Sequence, residues 1–186
     1  MDNTELFEEI EYWNEKISSS KTSEILELAF FKIFIKFEKF LSDLFVNYCI
    51  GENSLGNYCP ERKLCFTDEE HLNAILQKEK KMFINHYDLI LKLSDHIFAQ
   101  NPFEIISRDA NFSSEIRNMK IIRDYIAHES NHAKKKFSEA LLNGKENIKP
   151  FEFLAKKKKS RAVSYYSYYI EIIKETSNYI INGPAS

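Results

Sequence analysis

The chain has 186 residues, of which 44% are hydrophobic, and its formal net charge is -2. This length suits a single globular domain with a buried core over residues 1–186, and the charge does not indicate a nucleic-acid-binding protein as a whole. No run of about 18 apolar residues is free of charges, so no membrane span is expected. An acidic opening unlike a signal peptide, with an odd count of three cysteines, favours reduced thiols and a cytoplasmic protein.

Apolar residues at helical spacing predict the first two helices. Leucine, isoleucine and tryptophan recur every three or four positions over residues 4–18. A second helix is predicted from about Ser23 to Cys49, and it is apolar around most of its circumference. Its narrow polar stripe consists of Lys32, Lys36, Lys39 and Asp43. Such a helix is central in the fold or is shared with a partner chain.

A long loop or insertion is predicted at about 51–66, "GENSLGNYCPERKLCF", which holds two of the four glycines and one proline. Its length and composition make it a candidate lid or partner contact. Further helices are predicted to open at a capping box of Thr67 and Glu70 and to cover about 83–98, 112–126 and 160–181, with a shorter amphipathic segment at 133–144. No segment shows a clear alternation of apolar and polar residues typical of a strand. We therefore predict an all-α bundle of five or six helices.

The cysteines and histidines do not form a recognisable metal motif. Five residues separate Cys59 from Cys65, and five more separate Cys65 from His71. Structural zinc sites have closer ligand pairs and need a fourth ligand, so free cysteines are the favoured interpretation and neither a metal nor another cofactor is predicted. His86 and His96, on the predicted helix 83–98, are interpreted as surface or boundary histidines.

The segment "RDYIAHES", Arg123 to Ser130, places an arginine, an aspartate and a histidine late in a predicted helix. Asp124 and His128 are four residues apart and share a helix face, where a carboxylate can set the imidazole tautomer for acid–base chemistry. Arg123 lies about 140° from His128 around an ideal helix and supplies a permanent cation for a phosphoryl oxygen. The pattern therefore points to phosphoryl chemistry that needs no metal ligands.

"IRDYIAHES" resembles the R-x(4–6)-H signature of the HEPN superfamily, in which a polar residue follows the arginine and three more residues precede the histidine. "IRN-x-IAH" variants are familiar in domains of the RiboL-PSP type. The segment "FKIFIKFEKFLSDLFVNYCIG" also resembles the long second helix of such domains, with its aromatic-rich face and internal acid. The resemblance covers most of the chain as an all-α pattern, but only the nine motif residues carry it specifically.

This resemblance implies a HEPN-like fold and a metal-independent endoribonuclease that acts as a homodimer, with two motifs meeting in a two-fold cleft. Arg123 would match the arginine that stabilises the scissile phosphate, Asp124 the polar second position, and His128 the acid–base group. The 2′-hydroxyl would attack the adjacent phosphate and leave a cyclic phosphate and a 5′-hydroxyl.

Many such enzymes are prokaryotic toxins or antiviral effectors, which implies an antitoxin or another regulatory protein as a partner. The toxins paired with a small nucleotidyltransferase carry tyrosine two residues after the histidine. This chain has Ser130 there, so control by modification of that tyrosine is not expected.

A basic segment supplies candidate contacts to an RNA backbone, since residues 134–161 hold ten bases and three acids. The predicted RNA-binding residues are Lys134, Lys135, Lys136, Lys156, Lys157, Lys158, Lys159 and Arg161. Tyr165, Tyr166 and Tyr168 are candidates for stacking on unpaired bases, although core packing is favoured for each taken singly. A solvated lysine-rich face is the alternative for the basic segment.

Two rival hypotheses are also compatible with the sequence. One is a non-catalytic HEPN-like helical module that binds RNA, a nucleotide or a protein partner, with Arg123 and His128 in a buried polar network. The other is an unrelated helical scaffold in which the motif is a coincidence. A catalytic pair is expected to open onto a basic cleft, whereas a structural pair is expected to be closed and fully hydrogen-bonded.

Overall fold

A computed structural model describes residues 1–20, 22–76, 87–144 and 148–183. Within these ranges the chain forms nine helices and no strand, and its only extended pairings are isolated bridges between Arg62 and Phe98 and between Lys157 and Ser164. The predicted all-α class is confirmed. No helix in the described ranges is long and apolar enough to cross a membrane.

The helices differ widely in length. They are α1 (Thr4–Ser19), α2 (Ile25–Ile50), α3 (Glu69–Leu76), α4 (Tyr87–Ile97), α5 (Glu104–Ser107), α6 (Ala110–His128), α7 (Asn131–Leu142), α8 (Pro150–Ala155) and α9 (Tyr165–Asn182). The predicted number of five or six is too low. Seven helical segments are predicted individually, and α5 and α8, with 4 and 6 residues, form where no helix was predicted. Residues 83–86 of one predicted helix, including His86, lie outside the described residues.

Two predicted helix starts also need correction. Asp68, and not Thr67, caps α3, because its carboxylate accepts a hydrogen bond from the backbone N–H of His71 at 2.7 Å. The last helix begins at Tyr165, five residues later than predicted, since Ser164 accepts from the Ser167 N–H and so caps α9. The start of each of these two helices is set by a capping side-chain oxygen, which the apolar periodicity of the sequence does not reveal.

Helix α2 is the centre of the fold, as its apolar circumference predicts. It packs against α1, α3, α4, α6, α8 and α9. The side chains that it buries include Phe30, Phe34, Phe37, Phe40 and Phe45. Each fully buried side chain of this size contributes about 1.5–3 kcal/mol relative to an exposed one, so α2 supplies a large part of the stabilisation of the core.

The loop between α2 and α3 is fixed by hydrogen bonds at several points. The Ser54 hydroxyl donates to the Ile181 carbonyl oxygen at 2.6 Å, which ties the loop to the end of α9. Arg62 donates to the Cys49 carbonyl oxygen at 3.0 Å, near the end of α2. Phe66 is buried in the core. The loop is therefore anchored to the bundle, and its role as a lid or partner contact stays a prediction.

Candidate functional site

The predicted motif lies at the end of α6 and in the tight turn into α7. His128 is the last residue of α6, and Glu129 reverses the chain in the left-handed region, with φ of 45°. Ser130 then caps α7, because its hydroxyl oxygen accepts the backbone N–H of Ala133 at 3.2 Å. A two-residue link between two helices thus holds the backbone of His128 in a defined place.

Arg123 is held by carboxylates on two helices. Its Nη2 atom donates to both carboxylate oxygens of Glu38 on α2, at 2.5 Å each, and its Nη1 atom donates to Asp124 at 2.7 Å. The side chains of Arg123 and Glu38 are only 18% and 11% exposed. The Nε atom of Arg123 is buried and finds no hydrogen-bond partner among the described residues. The guanidinium is therefore immobilised with most of its surface covered by protein.

Glu38 is a site residue that was not named from the sequence. It stands about 100° around α2 from Lys39, the nearest member of the polar stripe, and so on a largely apolar part of the helix. An acid in such a position needs a cation to offset the loss of water, and Arg123 provides it. This displacement from the polar stripe is the signal that identifies Glu38 in the sequence. The other acid in this part of α2, Asp43, pairs on the surface with Lys39 at 3.6 Å.

His128 stands apart from this ion-pair cluster. Its side chain is exposed and makes no hydrogen bond or ion pair with any described residue. The Asp124 carboxylate contacts Arg123, and the contact with His128 that the four-residue spacing allows is not formed. The two ends of the motif thus differ: the arginine is closed and paired, whereas the imidazole is open to solvent.

Seven of the eight predicted RNA-binding residues are exposed, and Lys158 is half-buried. The exposed ones are Lys134, Lys135, Lys136, Lys156, Lys157, Lys159 and Arg161. Lys135 lies 3.8 Å from Glu139, and Arg161 lies 3.0 Å from Glu171, both at the surface. Lys158 differs from its neighbours, because it turns inward to pair with Glu115 of α6 and its ammonium lies 3.6 Å from the Tyr168 ring centroid.

The tyrosines beside the basic segment serve mainly the core. Tyr166 and Tyr168 are 5% and 6% exposed, so their rings are not available to stack on a base. Tyr165 is half-buried and stacks on Phe153 with ring centroids 4.4 Å apart. Core packing, the favoured alternative in the sequence, is therefore the role of Tyr166 and Tyr168.

The cysteines lie in three different environments. Cys49 is buried, Cys59 half-buried and Cys65 exposed, and all three are free. Burial raises the pKa of the Cys49 thiol to about 12, so this thiol stays protonated. In the part of the chain that the structure describes, no three histidine, cysteine or acidic side chains are grouped to hold a metal ion.

Comparison with known proteins adds no relative: no family model matches the chain, and neither a curated protein nor a solved structure is significantly similar to it. A function for the chain is therefore inferred from the motif residues and their geometry alone.

Proposed function

We propose that the chain is a metal-independent endoribonuclease of HEPN type, in which Arg123, Asp124 and His128 form a composite site with a second copy. The observation that carries this proposal is the open, unpartnered imidazole of His128 at the end of the helix whose previous turn holds Arg123 in place. An accessible imidazole suits proton transfer near neutral pH. The exposed lysines of α7 stand next to it in the chain and suit a polyanionic substrate.

In the proposed reaction one proton leaves the 2′-hydroxyl and another is added to the 5′-oxygen. The 2′-oxygen of the ribose bonds to the neighbouring phosphorus as its proton passes to one imidazole. The bond from phosphorus to the 5′-oxygen breaks, and that oxygen receives a proton from the imidazole of the second copy. Arg123 stabilises the charge on the remaining phosphate oxygens. The products are a cyclic phosphate and a 5′-hydroxyl.

The charge of the cluster supports the need for a second copy. Arg123 contacts two carboxylates, from Glu38 and Asp124, so the cluster of one protomer carries one more negative charge than positive. A phosphate approaching this cluster needs further cations, which a second copy with its own His128 and basic residues provides. Because the second copy also repeats this negative cluster, the added cations must lie outside it, among the exposed lysines of α7 in both copies.

An exposed apolar face of α2 is the proposed contact with that second copy. Leu28 and Ile35 are 48% and 41% exposed and lie two turns apart, with the half-buried Phe31 between them. Ile35 stands three residues before Glu38, so this face continues into the ion-pair cluster. Large apolar side chains in such a row are typical of surfaces that another protein covers. We expect the same face of the second copy to cover it.

The dimer has a direct test in sedimentation equilibrium of wild type and Ile35→Glu. A charge on the proposed face should give monomers that have lost ribonuclease activity. The matched control is Leu64→Glu, because Leu64 is 50% exposed and lies in the loop before α3. A wild type that is monomeric at assay concentrations would contradict the composite site.

A second candidate function is a non-catalytic HEPN-like module that binds RNA, a nucleotide or a protein partner. The burial of Arg123 favours this second function. An arginine side chain that is only 18% exposed and has two carboxylate partners is typical of a structural network. In this function Arg123 holds α6 against α2, and His128 is a surface residue.

The biological role that we propose is that of a cytoplasmic toxin or antiviral effector. An unrestrained ribonuclease would degrade the RNA of its own cell, so the proposal includes an antitoxin or another regulatory protein. Expression of the wild type and of His128→Ala in separate strains of a bacterial host tests this role. Growth arrest by the wild type alone is the expected result, and equal growth of both strains would contradict toxicity through His128.

RNA cleavage in the presence of EDTA tests the enzymatic function. We expect the wild type and His132→Ala to cut RNA and His128→Ala to leave it intact, with all three showing the same circular dichroism spectrum. His132 is a close control, because it is also exposed and lies four residues later in the chain, in the first turn of α7. Cleavage by purified His128→Ala at the wild-type rate would remove the enzymatic assignment. RNA binding without cleavage by the wild type would support the second candidate.

A further inference from the structure

An open groove of about 360 Å³ lies among α4, α5, α6 and α7. Its lining includes the apolar Leu91, Ile106 and Ile121 and the charged Asp88, Arg117, Lys120 and Lys136. The apolar residues among them are buried or half-buried and form the floor, whereas Arg117 and Lys136 are exposed at the rim. The groove thus combines an apolar base with basic edges, and apart from Lys136 none of its residues belongs to the predicted site.

The charge of the groove is positive. Three cations, Arg117, Lys120 and Lys136, face one carboxylate, that of Asp88. Asp88 is already neutralised, since its carboxylate lies 2.5 Å from the Lys120 ammonium. Arg117 and Lys136 make no hydrogen bond or ion pair with a described residue. Two cations from different helices are therefore available for an anion that enters the groove.

The groove and the motif share one face of α6. Arg117 precedes Asp124 by seven residues and His128 by eleven, which is two and three turns of the helix. Eleven residues place His128 within about 20° of Arg117 around the axis and about 16 Å further along it. A strand that lies along this face therefore passes from the open imidazole to the basic groove. The backbone of such a strand reaches the groove a few nucleotides away from the nucleotide beside the imidazole.

We propose that this groove binds a backbone phosphate of single-stranded RNA a few nucleotides from the scissile bond. Arg117 and Lys136 are the phosphate ligands, Lys120 stays paired with Asp88 beside them, and Leu91 contacts the ribose or an unstacked base. A single strand fits better than a duplex, because the recess is small and its apolar floor offers a surface to an unpaired nucleotide. This inference rests on the proposed ribonuclease function and adds the position of the substrate strand.

The test is fluorescence anisotropy of a labelled single-stranded RNA oligonucleotide, with His128→Ala as the parent protein so that no cleavage occurs. Arg117→Gln/Lys136→Gln in this parent should weaken binding by about tenfold, and the slope of log affinity against log salt should fall by about 0.7 for one lost phosphate contact. Asp88→Asn should instead strengthen binding, because it removes the only carboxylate that lines the described groove.

The matched control is Lys16→Gln/Lys174→Gln, which removes two positive charges from α1 and α9, away from the groove. If the groove variant binds RNA as tightly as this control, the groove proposal is overturned, even when wild-type cleavage still depends on His128. Equal competition by duplex DNA would overturn the assignment to single-stranded RNA. Cleavage of RNA by His128→Ala would instead contradict the proposed function. Cleavage is measured in a separate assay, from the length of the RNA after incubation.

Discussion

Replacement of Glu38 by glutamine removes the charge that offsets Arg123 where the two side chains are 11% and 18% exposed. Hydrogen bonds to charged groups contribute about 1.5–3 kcal/mol, and breaking a buried ion pair costs about 3–5 kcal/mol. Asp124 remains as a partner, so we expect Glu38→Gln to lower the free energy of unfolding by about 2–3 kcal/mol. For a chain of this length, the loss lowers Tm by about 5–10 °C.

A double-mutant cycle isolates the pair from other effects of the substitutions. Urea unfolding of Glu38→Gln, Arg123→Gln and the double variant, followed by circular dichroism, should give an interaction energy of about 2 kcal/mol. The control cycle uses Lys39→Gln and Asp43→Asn, also on α2, whose side chains are 64% and 43% exposed. That surface pair should give only about 0.3–0.5 kcal/mol. Additive effects of Glu38→Gln and Arg123→Gln would refute the argument that Glu38 holds Arg123.

Three further predictions concern other parts of the fold. Cys65 should react rapidly with a thiol reagent, Cys59 more slowly and Cys49 only on unfolding, because Cys49 is 0% exposed; equal rates for the three would contradict the packing of the loop. Burial raises the pKa of Tyr48 to about 12. Since an unfolded tyrosine ionises near pH 10, the unfolded state loses its proton first, and stability measured by urea titration should fall as the pH rises from about 10 towards 12. Ser130→Ala removes the cap of α7 and should cost about 1 kcal/mol in the same assay, whereas an unchanged midpoint would show that the cap does not hold the turn.

The central part of the fold is predictable because its pattern is long. Helix α2 has 26 residues and one narrow polar stripe, so the sequence predicts a helix that is central or shared with a partner chain, and the structure places it at the centre. Helices α5 and α8 have 4 and 6 residues, fewer than two turns, and such segments are too short for an apolar period to be recognised. These two helices account for the difference between the seven segments with a recognisable period and the nine helices among the described residues.

The site is predictable where it is local and unpredictable where it depends on tertiary contacts. The spacing of Arg123, Asp124 and His128 along α6 follows from helix geometry. Asp124 is adjacent to Arg123 and one turn from His128, and the sequence does not show which of the two side chains its carboxylate binds. Glu38 pairs with Arg123 across 85 residues of chain, which only the fold brings together.

The run of lysines also shows that tertiary contacts are not evident from the sequence. Residues 156–159 are four lysines in a row, and all were predicted to contact RNA. Lys158 instead turns inward to Glu115 of α6, because the chain reverses between Lys157 and Ser164 and directs that side chain at the helix. Identical neighbours in a sequence can therefore have opposite environments.

The most direct test of the central claim is the chemistry of the RNA ends produced by the purified wild type in EDTA. Mass spectrometry of the fragments should find a cyclic phosphate on one side of each cut and a 5′-hydroxyl on the other, and His128→Ala should produce no fragments. Fragments that carry a 5′-phosphate, or cleavage that appears only when a divalent metal is added, would contradict the metal-independent mechanism built on Arg123 and His128.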